Sequence, residues 1–185
     1  MESILQLEKS EILLIFKLTR KLVNNQIPYN DSLKGKILCN AFFEPSTRTS
    51  MSFEAAMLSL GGNVINFDTL SSSLKKGETF EDTIKTIQEL CDVIVLRHPE
   101  KDKIYQAGKI SNIPIINGGN GDGEHPTQAL LDLYTIQENI DITKMFNICF
   151  IGDIRYSRTI HSLIHLIAKM NIQCNIIFCC YPNCQ

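Results

Sequence analysis

Short, mainly apolar runs alternate with amphipathic segments along most of this chain of 185 residues. The apolar runs have the length of buried strands and occupy residues 37–43, 63–67, 93–96, 113–116, 146–151 and 174–180. Between them, apolar side chains recur at helical spacing, as at Phe53, Met57 and Leu60. This alternation predicts an α/β fold with a doubly wound, mostly parallel sheet and helices on both of its faces.

A polar connector at residues 139–144 divides this pattern into two parts. We predict a first domain over residues 1–140. Residues 145–185 then form the start of a second α/β domain, its first β-α-β unit. A two-stranded sheet of this kind would expose apolar faces on both sides.

Residues 42–50, FFEPSTRTS, join a predicted strand to a predicted helix. A helix N-terminus presents free backbone N–H groups and the positive end of the helix dipole. Ser46, Thr47 and Thr49 add hydroxyl groups, and Arg48 adds a charge that can bind an oxyanion through two hydrogen bonds. The stretch therefore predicts a phosphate site. The simpler alternative is a Ser/Thr helix cap beside a surface arginine.

Two further polar stretches follow predicted strands, at residues 97–99 and 125–128, and a glycine-rich loop is predicted over residues 118–124. Ligands of doubly wound sheets bind beyond the carboxyl ends of the strands. We therefore expect the three polar stretches to meet around one anionic, carbonyl-bearing ligand.

Composition excludes several classes of function. The net charge of −2 gives no basic surface for nucleic acid. The apolar runs are too short to span a bilayer, and the N-terminus lacks the features of a signal peptide, so we expect a cytoplasmic protein. The seven cysteines include no C-x-x-C pair, which favours buried thiols over a disulfide framework or a metal site.

Five motifs of the chain, in order, resemble those of the aspartate/ornithine carbamoyltransferase family. They are FFEPSTRTSMSFE from residue 42, KKGET from 75, LRHP from 96, GEHPTQALLDL from 123 and GDIRYSRTIHS from 152. The LRHP and GDIRYSRTIHS motifs are more similar to the aspartate enzymes than to the ornithine enzymes, which share the STRT and HPxQ types of loop. The resemblance implies transfer of the carbamoyl group from carbamoyl phosphate to L-aspartate in pyrimidine biosynthesis, without a cofactor or metal. It also implies a homotrimer, with or without regulatory or other pyrimidine-pathway subunits.

The resemblance assigns roles to particular residues. Carbamoyl phosphate would be bound by Ser46, Thr47, Arg48, Thr49, Arg97, His125 and Gln128. Of these, the catalytic residues would be Arg48, Thr49, Arg97 and His125. Donors to the carbonyl oxygen would stabilise its negative charge as in an oxyanion hole.

Aspartate would be bound by Lys76 and Arg158, and Ser72 and Lys76 would reach the site of a neighbouring subunit. Taken one at a time, residues of these types are more often helix caps, surface ion-pair partners or parts of a solvated loop.

The sequence departs from the family pattern in three places. Ser50 stands where arginine is frequent, and Asn120 stands where an aspartate is usual. The Arg-x-Gln stretch and the Pro-Leu turn that complete the family's second domain do not occur. We therefore also consider a truncated chain that binds carbamoyl phosphate without catalysis, and we expect the chain alone to show little transferase activity.

Overall fold

A computed structural model describes residues 1–26, 31–67 and 77–180. The helices are α1 (Lys9–Val23), α2 (Thr47–Ser59), α3 (Phe80–Gln88), α4 (Lys103–Ile110), α5 (Pro126–Asn139) and α6 (Arg158–Lys169). The strands are β1 (Ile37–Phe42), β2 (Asn63–Phe67), β3 (Val93–His98), β4 (Ile115–Asn120), β5 (Phe146–Ile151) and β6 (Cys174–Cys179). Within these described ranges, no helix has both the length and the apolar character needed to cross a membrane.

The first four strands form one parallel sheet in the order β2-β1-β3-β4. Cys39 of β1 lies opposite Ile65 of β2 on one side and Ile94 of β3 on the other. β4 lies at an edge of the sheet, directly after Pro114. The predicted α/β class with a parallel sheet is confirmed.

Apolar side chains bury both faces of this sheet. On one face, Ile84 of α3 and Ile104 of α4 pack with Cys39 and Leu96. On the other face, Met57 of α2 packs with Leu38 and Val95. Because neighbouring residues of a strand point to opposite faces, the continuous apolar run of a central strand serves both layers.

β5 and β6 form a second parallel sheet, with α6 between them in the chain. Its inner face is covered, because Ile148 and Phe150 pack against a buried cluster from α1, α5 and α6. The expectation of two exposed faces was therefore wrong for one of them. The outer face is exposed, and Cys149 and Cys179 lie on it. The prediction of buried thiols was wrong for these two cysteines, while Cys39 is buried.

Three elements extend beyond their predicted limits. α2 begins at Thr47 instead of near residue 51, and β3 continues through Arg97 to His98. β4 runs to Asn120 and so includes three of the seven residues predicted as a glycine-rich loop. This backbone conformation requires a φ of 117° at Gly119. Glycine adopts such a positive φ readily because it has no Cβ.

Candidate functional site

The N-terminus of α2 opens towards a cleft. Ser46 is the N-cap in extended conformation, but its side chain makes no capping hydrogen bond. Instead, Ser50 Oγ donates to the Ser46 carbonyl over 2.6 Å. Arg48, in the first turn, is exposed. This turn therefore offers N–H groups, hydroxyls and a guanidinium to an anion.

The end of β3 directs two neighbouring side chains to opposite faces of the sheet, as strand geometry requires. Arg97 lines the cleft. His98 is buried on the other side, with its ring 5.0 Å from that of Phe43 and 5.4 Å from that of Phe80. His98 Nδ1 accepts a hydrogen bond from the Glu100 N–H over 2.9 Å. His98 was predicted to lie at the ligand edge with Arg97, but it is part of the core. Burial lowers its pKa.

Glu44 lies between two arginines, a feature that the sequence analysis missed. Its Oε1 is 2.7 Å from Arg97 Nε and 3.4 Å from Arg158 Nη1. The Arg97 Nε–H is not directed at this oxygen, so the attraction is mainly Coulombic. Burial and the neighbouring Arg158 lower the pKa of Arg97, and Glu44 opposes them. The position of Glu44 inside the FFEPSTRT motif was the signal that could have identified it.

Backbone groups of β4 and the turn after it hold the same two arginines. Arg97 Nη1 donates to the Gly118 carbonyl over 3.2 Å, and Arg158 Nη1 donates to the Gly121 carbonyl over 2.6 Å. A Cβ atom on Gly119 would lie 3.2 Å from Arg97 Nη1 and 3.3 Å from Arg158 Cζ. Glycine at this position therefore leaves room for both guanidinium groups.

His125 is the N-cap residue of α5, and its ring points to the N-terminus of α2. Its backbone N–H donates to Ser162 Oγ of α6 over 3.0 Å. Nε2 lies 3.5 Å from Thr49 Oγ1, and Nδ1 lies 3.3 Å from Thr127 Oγ1. The side chain is buried. Burial, followed by the charges of Arg158 and Arg97, lowers the pKa of His125 to about 4.

A neutral imidazole has a single N–H, so its partners select the tautomer. If Nδ1 accepts a hydrogen bond from the Thr127 hydroxyl, Nε2 carries the ring hydrogen and can donate into the cleft. His125 is then suited to be a neutral hydrogen-bond donor and not a general base.

Gln128 and Asp132 lie one turn apart on α5. Gln128 Nε2 donates to Asp132 Oδ1 over 2.8 Å. Burial raises the pKa of Asp132, and the hydrogen bond from Gln128 opposes this shift. Gln128 was among the predicted site residues, whereas Asp132 was not, although it is part of the GEHPTQALLDL motif.

These elements surround a cleft of about 1000 Å³. The predicted site residues that line it are Ser46, Thr47, Arg48, Thr49, Arg97, His125, Gln128 and Arg158. The lining residues that were not predicted are Pro45, Ser52, Phe53, Ala56, Thr127, Leu131, Asp132 and Thr159. Ser72 and Lys76 lie outside the described residues. Among the residues described, no group of three or more His, Cys, Asp or Glu side chains could hold a metal ion.

The cleft combines a helix N-terminus, three arginines and a neutral histidine with an amide side chain. Such a set can bind a phosphate at one end and donate hydrogen bonds to a carbonyl oxygen beside it. Arg158 adds a cation that suits a carboxylate.

Comparison with known proteins agrees with this geometry. Residues 1–138 match the family model described as aspartate/ornithine carbamoyltransferase, carbamoyl-P binding domain. The aspartate carbamoyltransferase catalytic subunit of Thermococcus kodakarensis is 44% identical over 178 residues, which are 95% of this chain and 57% of that protein. The multifunctional protein ura1 of Schizosaccharomyces pombe is 45% identical over 177 residues, which are 95% of this chain and 8% of that protein.

A solved structure shares the fold. Aspartate transcarbamoylase from Trypanosoma cruzi, in complex with carbamoyl phosphate and aspartate, matches with a TM-score of 0.83 and 36% identity. The match covers 95% of this chain and 66% of that one. The chain thus spans a little over half of its archaeal relative and a small part of the multifunctional protein. Motifs, fold and cleft lead to one conclusion, which the family model over residues 1–138 supports directly: the chain belongs to the aspartate/ornithine carbamoyltransferase family.

Proposed function

We propose that the cleft binds carbamoyl phosphate and L-aspartate and transfers the carbamoyl group to the aspartate amine. The observation that carries this proposal is the convergence of the α2 N-terminus, Arg97, His125, Gln128 and Arg158 on one cleft. These groups come from both parts of the chain. The proposal includes the division into a carbamoyl-phosphate domain over residues 1–140 and an aspartate-domain segment over residues 145–185.

In the proposed reaction, the neutral aspartate amine attacks the carbamoyl carbon and forms a C–N bond. The C–O bond to phosphate breaks, phosphate leaves with the electron pair, and the amine proton is lost to the departing phosphate or to water. In this proposal, Arg97, His125 and Thr49 donate to the carbonyl oxygen as charge develops on it. Each such donor contributes roughly 3–4 kcal/mol in comparable sites.

The phosphate would be held by Ser46, the Thr47 backbone, Arg48 and Thr49. Arg48 is exposed at the cleft, so it can reach the phosphate without breaking an ion pair within the part of the chain that the structure describes. Its charge and the helix dipole would stabilise phosphate as the leaving group.

Electrostatics favour aspartate over ornithine as the acceptor. Arg97 and Arg158 lie close enough to share Glu44. The carboxylate side chain of aspartate is attracted by such a pair, whereas the second ammonium group of ornithine is repelled. In this proposal Arg158 binds one carboxylate of aspartate, and Lys76, which lies outside the described residues, also binds aspartate.

Calorimetry tests the phosphate site. We expect Arg48→Ala to bind carbamoyl phosphate about tenfold to a hundredfold more weakly, since charged hydrogen bonds of this kind contribute roughly 1.5–3 kcal/mol. Arg20→Ala is the matched control, because Arg20 is an exposed arginine paired with Glu138 on the surface. Equal affinities of the wild type and Arg48→Ala would reject the phosphate assignment. Formation of carbamoyl aspartate in a colorimetric assay tests the transfer itself.

We also propose a cytoplasmic homotrimer in which Ser72 and Lys76 complete a neighbour's site. Subunits carrying Lys76→Ala would be mixed with subunits carrying His125→Ala, in whatever form of the protein is active. If the loop acts across the interface, some sites of the mixed assembly contain both groups and activity returns. Activity no greater than the sum of the parents would show that Ser72 and Lys76 serve their own subunit or none.

A further inference from the structure

We propose that Asp132 is a positioning residue that turns the carbonyl oxygen of Gln128 towards the ligand, so that the site selects an anion bearing an N–H donor. This inference rests on the proposed function, because it concerns how the same cleft recognises the carbamoyl group. Two observations support it. Gln128 Nε2 donates a hydrogen bond of 2.8 Å to Asp132 Oδ1, and both residues line the cleft.

The two ends of a glutamine side chain have opposite hydrogen-bonding character. The nitrogen donates two hydrogens and the oxygen accepts, and in an open site the amide can rotate to present either. An ionised carboxylate only accepts. Asp132 therefore binds the Gln128 nitrogen and leaves Oε1 as the group available to a ligand.

The local geometry makes this constraint effective. Positions four residues apart lie on one face of a helix, so Asp132 sits directly below Gln128 on α5. Both side chains are partly buried, which strengthens the hydrogen bond relative to water. Within the described part of the chain, Gln128 Oε1 accepts no hydrogen bond, so it remains free for a ligand.

An acceptor at this point recognises one part of carbamoyl phosphate. The phosphate and the carbonyl oxygen are acceptors, and the donors around them are Arg48, Arg97 and His125. The NH₂ group is the donor of the ligand and needs an acceptor. Gln128 in the orientation fixed by Asp132 supplies it, while inorganic phosphate has no corresponding group.

The test compares dissociation constants for inorganic phosphate and carbamoyl phosphate, measured by calorimetry in each variant. Their ratio reports recognition of the carbamoyl group, because effects on the shared phosphate contacts largely cancel. In Asp132→Leu, which has a similar shape and cannot accept, we expect the ratio to fall about threefold to tenfold, the value of one hydrogen bond.

Two further variants separate positioning from a general structural role. Asparagine can accept from or donate to Gln128, so in Asp132→Asn both amide orientations are satisfied, and we expect a loss of about twofold. Gln128→Met removes the acceptor itself and keeps Asp132. On that background, Asp132→Leu should change the ratio no further. Glu138→Gln, which removes a charge from the surface of the same helix, is the control and should leave the ratio unchanged.

The outcomes distinguish this inference from the proposed function. If the wild type binds neither anion, the proposed function fails. If it binds both and the ratio is the same in Asp132→Leu, the role of Asp132 is refuted while the proposed function stands. An effect of Asp132→Leu that persists undiminished on the Gln128→Met background also refutes it, because Asp132 would then act without Gln128.

Discussion

The suppressed protonation of His125 should make the stability of the protein depend on pH. Burial and two neighbouring arginines lower the pKa of His125 from its ordinary value of 6.5 to about 4 in the folded protein. In the unfolded chain the ring regains its ordinary pKa. Between these two values the unfolded state binds a proton that the folded state does not, so the free energy of unfolding falls as the pH falls.

The expected size of this effect follows from the shift. Each unit of pKa difference corresponds to about 1.4 kcal/mol, so His125 lowers the free energy of unfolding by about 3 kcal/mol between pH 7 and pH 4. Above pH 6.5 both states are neutral at this ring and the effect vanishes. Below pH 4 the ring is charged in both the folded and the unfolded state, and the loss of stability caused by His125 reaches its limit.

The contribution of His125 can be measured by urea unfolding of the wild type and of His125→Gln between pH 7 and pH 4. Circular dichroism monitors the unfolding. Glutamine does not titrate, so His125→Gln should lose less stability on acidification than the wild type, by about 3 kcal/mol at pH 4. Any constant cost of the substitution cancels, because only the dependence on pH is compared. His98, whose pKa is also lowered, makes the same contribution to the pH dependence of stability in both proteins. His165→Gln, at an exposed position, is the control and should follow the wild type.

Parallel curves for the wild type and His125→Gln would refute the reasoning. So would an NMR titration that placed the pKa of His125 near 6.5. Either result would mean that the cleft admits enough water, or enough counter-charge, to stabilise the imidazolium.

Two further predictions follow from the contacts of the site and the second sheet. Glu44→Gln should lower the free energy of unfolding by about 3 kcal/mol, because two mostly buried guanidinium groups lose their shared counter-charge; Glu81→Gln, which breaks an exposed ion pair, should have little effect in the same unfolding assay. Thiol labelling of the folded protein, followed by mass spectrometry, should modify Cys149 and Cys179 first and Cys39 last among the six cysteines that the structure describes, since Cys39 is buried with its pKa raised to about 12. Labelling of Cys39 at the rate of Cys149 would contradict the packing of β1.

The sequence by itself determined the fold class, most element positions and eight of the sixteen residues that line the cleft. β2 and β5 have the limits that the apolar runs predicted, and Thr79 and His125 cap α3 and α5. These features are local, because periodicity, turn residues and caps act between residues a few positions apart. Parallel strands then bring the segments that follow them to one edge of the sheet, so residues chosen from separate motifs could be expected in one place.

Only the tertiary structure decided how those residues are paired and oriented. Glu44 and Arg158 are 114 positions apart in the chain, and nothing in their local sequence indicates that they meet. His98 was predicted beside Arg97 at the ligand edge, but the extension of β3 turns it to the opposite face of the sheet.

The pKa of His125 and the orientation of Gln128 likewise depend on burial and on the charges that surround them. The inner face of the second sheet is likewise covered only in the folded chain, where α1 and α5 of the first part help to bury it. Solvent exclusion and Coulomb interactions depend on distances in space, which a local sequence pattern does not contain.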